Sequence, residues 1–329
     1  MAHASCIGLY VIPAARTIDP GPARHVPACL GPVCLAPVCL GPVSLGHDAE
    51  EASGSSIVRA VGITRRAATA AAVLTLALPR PARAAPALRI GGTGSALGGM
   101  QLLGDTLAAL GLCPGVKTVR DLGTVGGIRA VAAGAIDLSV SARPLTAEER
   151  ATGLRDRLYA TTPLVFATHL MTPVEALTHD QAVAIIGGTM GEWLDGTPVR
   201  LSRRPGRDAD TLILAGLSPD MAAAVAVLQQ REGLSTAASD HDQAAVLEAS
   251  RGSFGVITLA LVRTERRPLR VPWLDGYAPD GANWPMQKTL YAVTRVTSAP
   301  AVQAFLESLF SPDTAALLTA LGHVMPVRE

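Results

Sequence analysis

Three short loops in this sequence combine glycine and hydroxyl side chains at the start of a predicted helix. They span residues 91–95, 123–127 and 203–211, and each follows a short apolar run that predicts a strand. A helix start offers unpaired N–H groups and the positive end of the helix dipole, and both attract anions. The hydroxyls at these starts, which add hydrogen-bond donors, belong to Ser95, Thr124 and Thr211. The pattern predicts a site for a small oxyanion.

A fourth segment, IDLSVSARPLT, adds a hydroxyl and a guanidinium directly after a predicted strand, at Ser141 and Arg143. Arginine donates charge-assisted hydrogen bonds to oxyanions. Because open α/β sheets bind ligands beyond the carboxyl ends of their strands, we expect the four loops to face one site. Helix capping alone would explain any single loop, since glycine and hydroxyl residues are common at helix starts. The four together favour binding.

Other chemistries lack their motifs in this chain. The turn Gly92-x-Gly94-x-x-x-Gly98 is not the G-x-G-x-x-G of dinucleotide sites, and the sequence has no G-K-[ST]. Ser95 lacks the G-x-S-x-G surround of a hydrolase nucleophile. Four scattered histidines form no H-x-x-x-H pair, which argues against a metal site: His169, His179, His241 and His323. We therefore expect a binding protein that needs no catalysis, cofactor or metal.

The charge balance bears on the partners of the protein. The 329 residues carry 28 basic and 27 acidic side chains, a net charge of +1 with neutral histidine. Nucleic-acid-binding surfaces need clustered positive charge, and the sequence has no basic block, so nucleic acid is not an expected partner. Lysine occurs only at Lys117 and Lys288, so nearly all of the positive charge is arginine.

Residues 58–84 have the three parts of a secretory signal peptide. A basic Arg-Arg pair precedes an apolar stretch at 67–78, and an A-x-A cleavage site follows at 82–84. The apolar stretch is too short for a bilayer, which needs about 20 residues. The segment predicts export to the periplasm by the Sec or twin-arginine route, with a buried helix or signal anchor as the alternative. Residues 1–57, which contain the repeat CLGPVCLAPVCLGPV, are expected to be disordered or to precede the true translation start.

Beyond this leader, strand patterns alternate with helical patterns. The predicted strands are 88–91, 116–120, 135–139, 164–170, 199–202, 252–262 and 289–293. Predicted helices are 95–110, 126–133, 221–230, 240–249, 299–309 and 312–321, with further ones starting at about 146, 178 and 211. A capping box is predicted at Thr146 and Glu149. Such alternation is typical of α/β proteins with mostly parallel sheets.

The order of these segments resembles that of the phosphate-type periplasmic substrate-binding proteins of ABC transporters. GGTGSA stands at the family's first glycine-rich turn. GTVGGIRAVAAGAIDLSVSARPLT resembles the signature G-S-[SG]-G-G…[IV]-D-[IF]-G…[SA]-x-[RA]-P-L. LTHDQAVAIIGGTMGEWLD, LSRRPGRDADT and RGSFGVITLA follow in the family's order. The resemblance extends over residues 88–326.

The resemblance implies an α/β, two-lobe type II periplasmic binding protein fold with a ligand cleft between the lobes. Lobe 1 would comprise 87–162 and 260–327, and lobe 2 would comprise 163–259. Crossover strands near 163–168 and 254–259 would form the hinge. A monomer would close on a small oxyanion, phosphate or a similar tetrahedral anion, and the permease of an ABC transporter would recognise the closed form. The alternatives are a binding module that serves a sensor or receptor, and a hydrolase that uses Ser95.

The family's ligand contacts carry over to named positions. Its hydroxyls fall on Ser95, Thr124 and Thr211, and its loop arginine falls on Arg203 or Arg204. The complete set of predicted contacts is Gly94, Ser95, Thr124, Gly126, Ser141, Arg143, Arg203, Arg204, Asp210 and Thr211.

One departure concerns the choice of anion. Ala142 stands where phosphate binders of the family have an aspartate that accepts the proton of hydrogen phosphate. Without that acceptor we expect weak discrimination between phosphate and fully ionised tetrahedral anions. Asp208 and Asp210 would either cap the helix that follows them, the preferred interpretation, or supply the missing acceptor.

Overall fold

The computed structural model describes residues 85–326. The predicted signal peptide (58–84) and the N-terminal extension (1–57) lie outside the described residues.

Eleven strands are present in the described range, and nine of them form one mixed sheet. In chain order they are β1 (Leu88–Gly92), β2 (Val116–Val119), β3 (Leu138–Ser141), β4 (Leu154–His169), β5 (Ala176–Leu177), β6 (Arg200–Arg203), β7 (Ser235–Thr236), β8 (Ser253–Thr258), β9 (Leu269–Arg270), β10 (Trp273–Leu274) and β11 (Gln287–Arg295). The sheet order is β2-β1-β3-β11-β4-β8-β6-β7, with β9 also paired to β4, while β5 and β10 pair separately.

The same part of the chain contains ten helices. They are α1 (Gly94–Ala109), α2 (Gly123–Ala132), α3 (Ala147–Ala151), α4 (His179–Gly187), α5 (Ala209–Ala215), α6 (Pro219–Gln230), α7 (Asp240–Ala249), α8 (Leu259–Thr264), α9 (Pro300–Leu309) and α10 (Pro312–Ala320). The predicted capping box at Thr146 and Glu149 is confirmed at the start of α3. Further capping boxes begin α4 and α7, so polar side chains satisfy N–H groups at several helix starts.

The sheet is less parallel than the sequence predicts. β1 pairs in parallel with β2 and β3, and β6 pairs in parallel with β7 and β8. Strand β11, however, lies antiparallel between β3 and β4, and β4 is antiparallel to β8. These antiparallel contacts join chain segments that are far apart in the sequence, which local alternation of strands and helices does not reveal.

Strand β4 is the long element that joins the two ends of the sheet. Its first part pairs with β11 up to Pro163, and its second part pairs with β8 from Leu164. The prediction of a strand only at 164–170 missed the first part, where the charged run Arg155–Arg157 obscures the pattern. A second correction lies at 252–262, where the predicted single strand is β8 followed by α8.

Two large apolar cores form in the protein, one around each part of β4. One is built from residues of 88–160 and 290–318, such as Ile90 and Phe305, and a small cluster around Ile128 adjoins β11. The other is built from 164–286 and includes Phe166 and Trp284. The division into two lobes, with a hinge near 163–168 and 254–259, remains a prediction. Within residues 85–326, no helix combines the length and hydrophobicity needed to cross a membrane.

Candidate functional site

A cavity of about 500 Å³ lies where the first turns of four helices converge. It is lined by 92–94 before and within α1, 121–125 at α2, 207–209 at α5 and 238–241 at α7, together with 287–289 at the beginning of β11. Because each of these helices presents its N-terminal end, the positive ends of four helix dipoles meet at this cavity. Such an arrangement favours an anionic ligand.

Four of the ten predicted contacts line this cavity: Gly94, Thr124, Arg143 and Arg204. The other six lie near it without lining it: Ser95, Gly126, Ser141, Arg203, Asp210 and Thr211. The Thr211 hydroxyl donates to the carbonyl of Pro205 at 2.9 Å, so it stabilises its own loop. The Ser141 hydroxyl is likewise engaged within its loop, with the backbone of Arg143.

The structure distinguishes the two arginines that the sequence leaves as alternatives. Arg203 Nη1 donates to the carbonyls of Leu228, Gln229 and Arg231, at the end of α6. Arg204 points the other way, is 5% exposed, and lines the cavity. Arg203 is the last residue of β6 and Arg204 follows it, and only one of the pair lines the cavity. In this structure that residue is Arg204.

Arg204 is held by two groups beside it. Its Nη2 donates to Asp208 Oδ2 at 2.9 Å, and its Nη1 donates to the Ala237 carbonyl at 3.0 Å. The other carboxylate oxygen of Asp208 accepts the N–H of Asp210 and caps α5. The capping interpretation is therefore confirmed for Asp208, while Asp210 belongs to a different group of contacts.

A buried cluster of charges adjoins the cavity, and the sequence did not indicate it. Lys288 Nζ lies 2.8 Å from Asp210 Oδ1 and 3.2 Å from Asp240 Oδ1. The three side chains are 1–5% exposed, and Arg204 Nη2 lies 3.9 Å from Asp240. Lys288 comes from β11, whereas Asp210 and Asp240 come from the first turns of α5 and α7. The cluster therefore ties the strand to both helices.

Asp240 occupies the position at the start of α1 that the sequence assigned to a bound anion. Its Oδ2 accepts hydrogen bonds from the Thr93 hydroxyl at 3.0 Å and from the Ser95 N–H at 3.2 Å. A Cβ atom on Gly94 would lie 2.9 Å from the Asp240 Cβ, so a glycine is needed for this approach. The glycine-rich turn thus receives an anionic group in this structure, and that group is a carboxylate of the same chain.

The two aspartates of the cluster differ in their pKa values. Burial disfavours the charge of Asp240, but Lys288, Arg204 and the Thr93 hydroxyl outweigh it and hold the pKa of Asp240 well below its usual range. Burial raises the pKa of Asp210 to about 6, against the attraction of Lys288 and with the repulsion of Asp240. Burial also opposes the charge of Lys288, but the carboxylates that surround it raise its pKa. The surroundings therefore favour the charged forms of Asp240 and Lys288 more strongly than that of Asp210.

The remaining predicted arginine is also paired. Arg143 donates to both oxygens of Glu149, each at 2.7 Å, and these hydrogen bonds lower the pKa of Glu149 to about 2. Beside it, Thr124 Oγ1 accepts the N–H of Ala142 at 3.0 Å and fixes α2 against the end of β3. Arg143 therefore lines the cavity with its charge already balanced.

The mixed sheet, its crossover strand and the cavity at the helix starts define a type II periplasmic binding protein fold. The chain belongs to the PBP superfamily, because the family model of the PBP superfamily domain matches residues 67–313. A search of curated proteins found no match.

Solved structures support the fold at low sequence identity. A phosphate ABC transporter substrate-binding protein with bound phosphate from Clostridium perfringens has a TM-score of 0.59 at 15% identity, covering 74% of this chain and 100% of its own. A phosphate-binding protein from Stenotrophomonas maltophilia has a TM-score of 0.56 at 13% identity, covering 74% and 91%. The periplasmic molybdate-binding protein of Azotobacter vinelandii has a TM-score of 0.52 at 16% identity, covering 73% and 100%.

Proposed function

We propose that this protein is a periplasmic substrate-binding protein that captures a small anion and presents it to the permease of an ABC transporter. The observation that carries the proposal is the cavity where the starts of four helices meet basic side chains. Helix N-termini and guanidinium groups donate hydrogen bonds to anionic oxygens, and a partly enclosed cavity strengthens those bonds. The resemblance of the fold to phosphate-binding and molybdate-binding proteins supports the same class of ligand.

The arrangement supports binding more than catalysis. Ser95, the candidate nucleophile of a hydrolase, lies outside the cavity lining, and its hydroxyl lies 3.3 Å from the Thr93 hydroxyl. A serine nucleophile needs a general base within hydrogen-bond reach, and a threonine hydroxyl cannot serve as one. Export to the periplasm by the predicted signal peptide, action as a monomer and binding of a tetrahedral oxyanion such as phosphate remain predictions.

Thermal unfolding of the full chain with a panel of anions tests the proposal. The panel consists of phosphate, sulfate, molybdate, tungstate and small carboxylates, each at several concentrations. A ligand at one hundred times its Kd stabilises the folded state by about 2.7 kcal/mol, so at least one anion should raise the melting temperature in a dose-dependent way. Neutral sugars of similar size serve as controls. If no anion gives such a shift while a neutral solute does, the proposed ligand class is wrong.

A further inference from the structure

The cavity is much larger than an inorganic oxyanion requires. A tetrahedral oxyanion has five heavy atoms and, even at the roughly 30 Å³ that a water molecule occupies in the liquid, fills at most about 150 Å³. The cavity measures about 500 Å³, within the range of roughly 300–1,000 Å³ that is typical of sites for organic ligands. The space left over would have to hold further ligand atoms or water.

Most of the positive charge around the cavity is already balanced by carboxylates. Arg204 pairs with Asp208, Arg143 pairs with Glu149, and Lys288 lies between Asp210 and Asp240. His241 also bonds a carboxylate, that of Glu265. Removing a doubly charged anion from water is costly unless hydrogen bonds and opposite charge replace its hydration. These pairs leave little charge for a dianion.

Arg207 is the exception among the basic residues that line the cavity. It is exposed, and it forms no hydrogen bond or ion pair with any other residue between 85 and 326. The other exposed charge of the lining, Asp121, is acidic and adds no attraction for an anion. One unpaired guanidinium matches one negative charge on a ligand.

An apolar surface completes the lining. Leu212 of α5 and Val125 of α2 face this cavity and are 61% and 48% exposed, and the partly buried Leu122 and Ile213 lie beside them. A bare oxyanion gains nothing from contact with such side chains. A hydrocarbon chain gains free energy in proportion to the apolar area that it buries.

We propose that the ligand is an organic monoanion, a carboxylate with an apolar carbon chain. The carboxylate pairs with Arg207, and the carbon chain packs against Leu212 and Val125. This inference rests on the proposed function, because it names the class of anion that the same cavity takes.

Titration calorimetry of the full chain with a homologous series tests the inference. The probes are acetate, butyrate and hexanoate, with sulfate and phosphate as inorganic anions. Affinity should rise about fourfold for each added methylene, and hexanoate should bind more tightly than either inorganic anion. Sulfate or phosphate binding more tightly than every carboxylate would overturn this inference and leave the proposed function standing. If none of the anions binds, both fail.

Two substitutions and one control locate the contacts. Leu212→Asn should remove most of the dependence on chain length, whereas Leu194→Asn, at a leucine that is 93% exposed and outside the cavity lining, should leave it unchanged. Arg207→Gln should weaken every carboxylate about tenfold or more, because a charge-assisted bond is lost. An unchanged chain-length dependence in Leu212→Asn would contradict the assignment of the apolar wall.

Discussion

Replacing Lys288 by Met should destabilise the protein more than most single substitutions. The Nζ atom lies 2.8 Å from Asp210 and 3.2 Å from Asp240, and the side chain is 2% exposed. A pair of charges about 3 Å apart is worth roughly 5–6 kcal/mol at an effective dielectric constant of about 20, and desolvation of the ammonium offsets part of this. Leaving the carboxylates buried without their cation should cost about 3–5 kcal/mol.

The loss should depend on pH in a defined direction. The pKa of Asp210 is already raised to about 6, and removal of the neighbouring cation should raise it further. A group that binds its proton more tightly in the folded state contributes stability at low pH that is lost as the pH rises through its folded pKa. The Lys288→Met protein should therefore lose more stability at pH 8 than at pH 5.

Urea unfolding followed by tryptophan fluorescence measures these differences. Lys117→Met is the matched control, because Lys117 is the other lysine of the chain and is exposed on β2. A second variant, Lys288→Met with Asp240→Asn, should recover part of the lost stability, because it also removes a buried charge. A loss below about 1 kcal/mol in Lys288→Met, or a double variant that is less stable than the single one, would refute the reasoning.

The remaining predictions concern a close contact, a buried histidine and the processed chain. Gly94→Ala should destabilise the folded protein by about 1–3 kcal/mol in thermal unfolding, because the new Cβ would lie 2.9 Å from the Cβ of Asp240. Gly99→Ala is the control and should be neutral or stabilising, because the nearest atom to its new Cβ would be 3.6 Å away. Equal effects of the two substitutions would contradict the close contact at Gly94. Burial lowers the pKa of His323 to about 4, so the folded state disfavours its protonation and this residue should cost about 2 kcal/mol of stability between pH 7 and pH 5. The His323→Gln variant should not show this loss of stability between pH 7 and pH 5. Identical pH profiles of stability for the variant and the wild type would disprove the prediction. N-terminal sequencing of the exported protein should start within a few residues of Ala85, and a mature chain that retains the Arg-Arg pair would indicate an anchor.

Local signals in the sequence were sufficient for the family and for nine of the ten helices between residues 85 and 326; the exception is α8, which was predicted as part of a strand. The start of α3 at Thr146 follows from side chains only three residues apart, and Asp240–Ala249 was predicted with its observed bounds. Caps and helical periodicity are interactions between near neighbours in the chain, so they can be recognised without knowledge of the fold. The order of the glycine-rich loops likewise predicted the fold class.

Which side chains meet at the site depends on contacts that only the tertiary structure makes. Asp240 reaches Thr93 across 147 positions of sequence, and Lys288 reaches Asp240 across 48. No local pattern encodes such pairs, because they arise from the position of β11 between β3 and β4 and from the convergence of helix starts that this order produces. The sequence by itself determined that the start of α1 suits an anion. The tertiary structure decided that the anionic group held there is the carboxylate of Asp240, because folding places that buried charge where the helix N-terminus and Lys288 can both stabilise it.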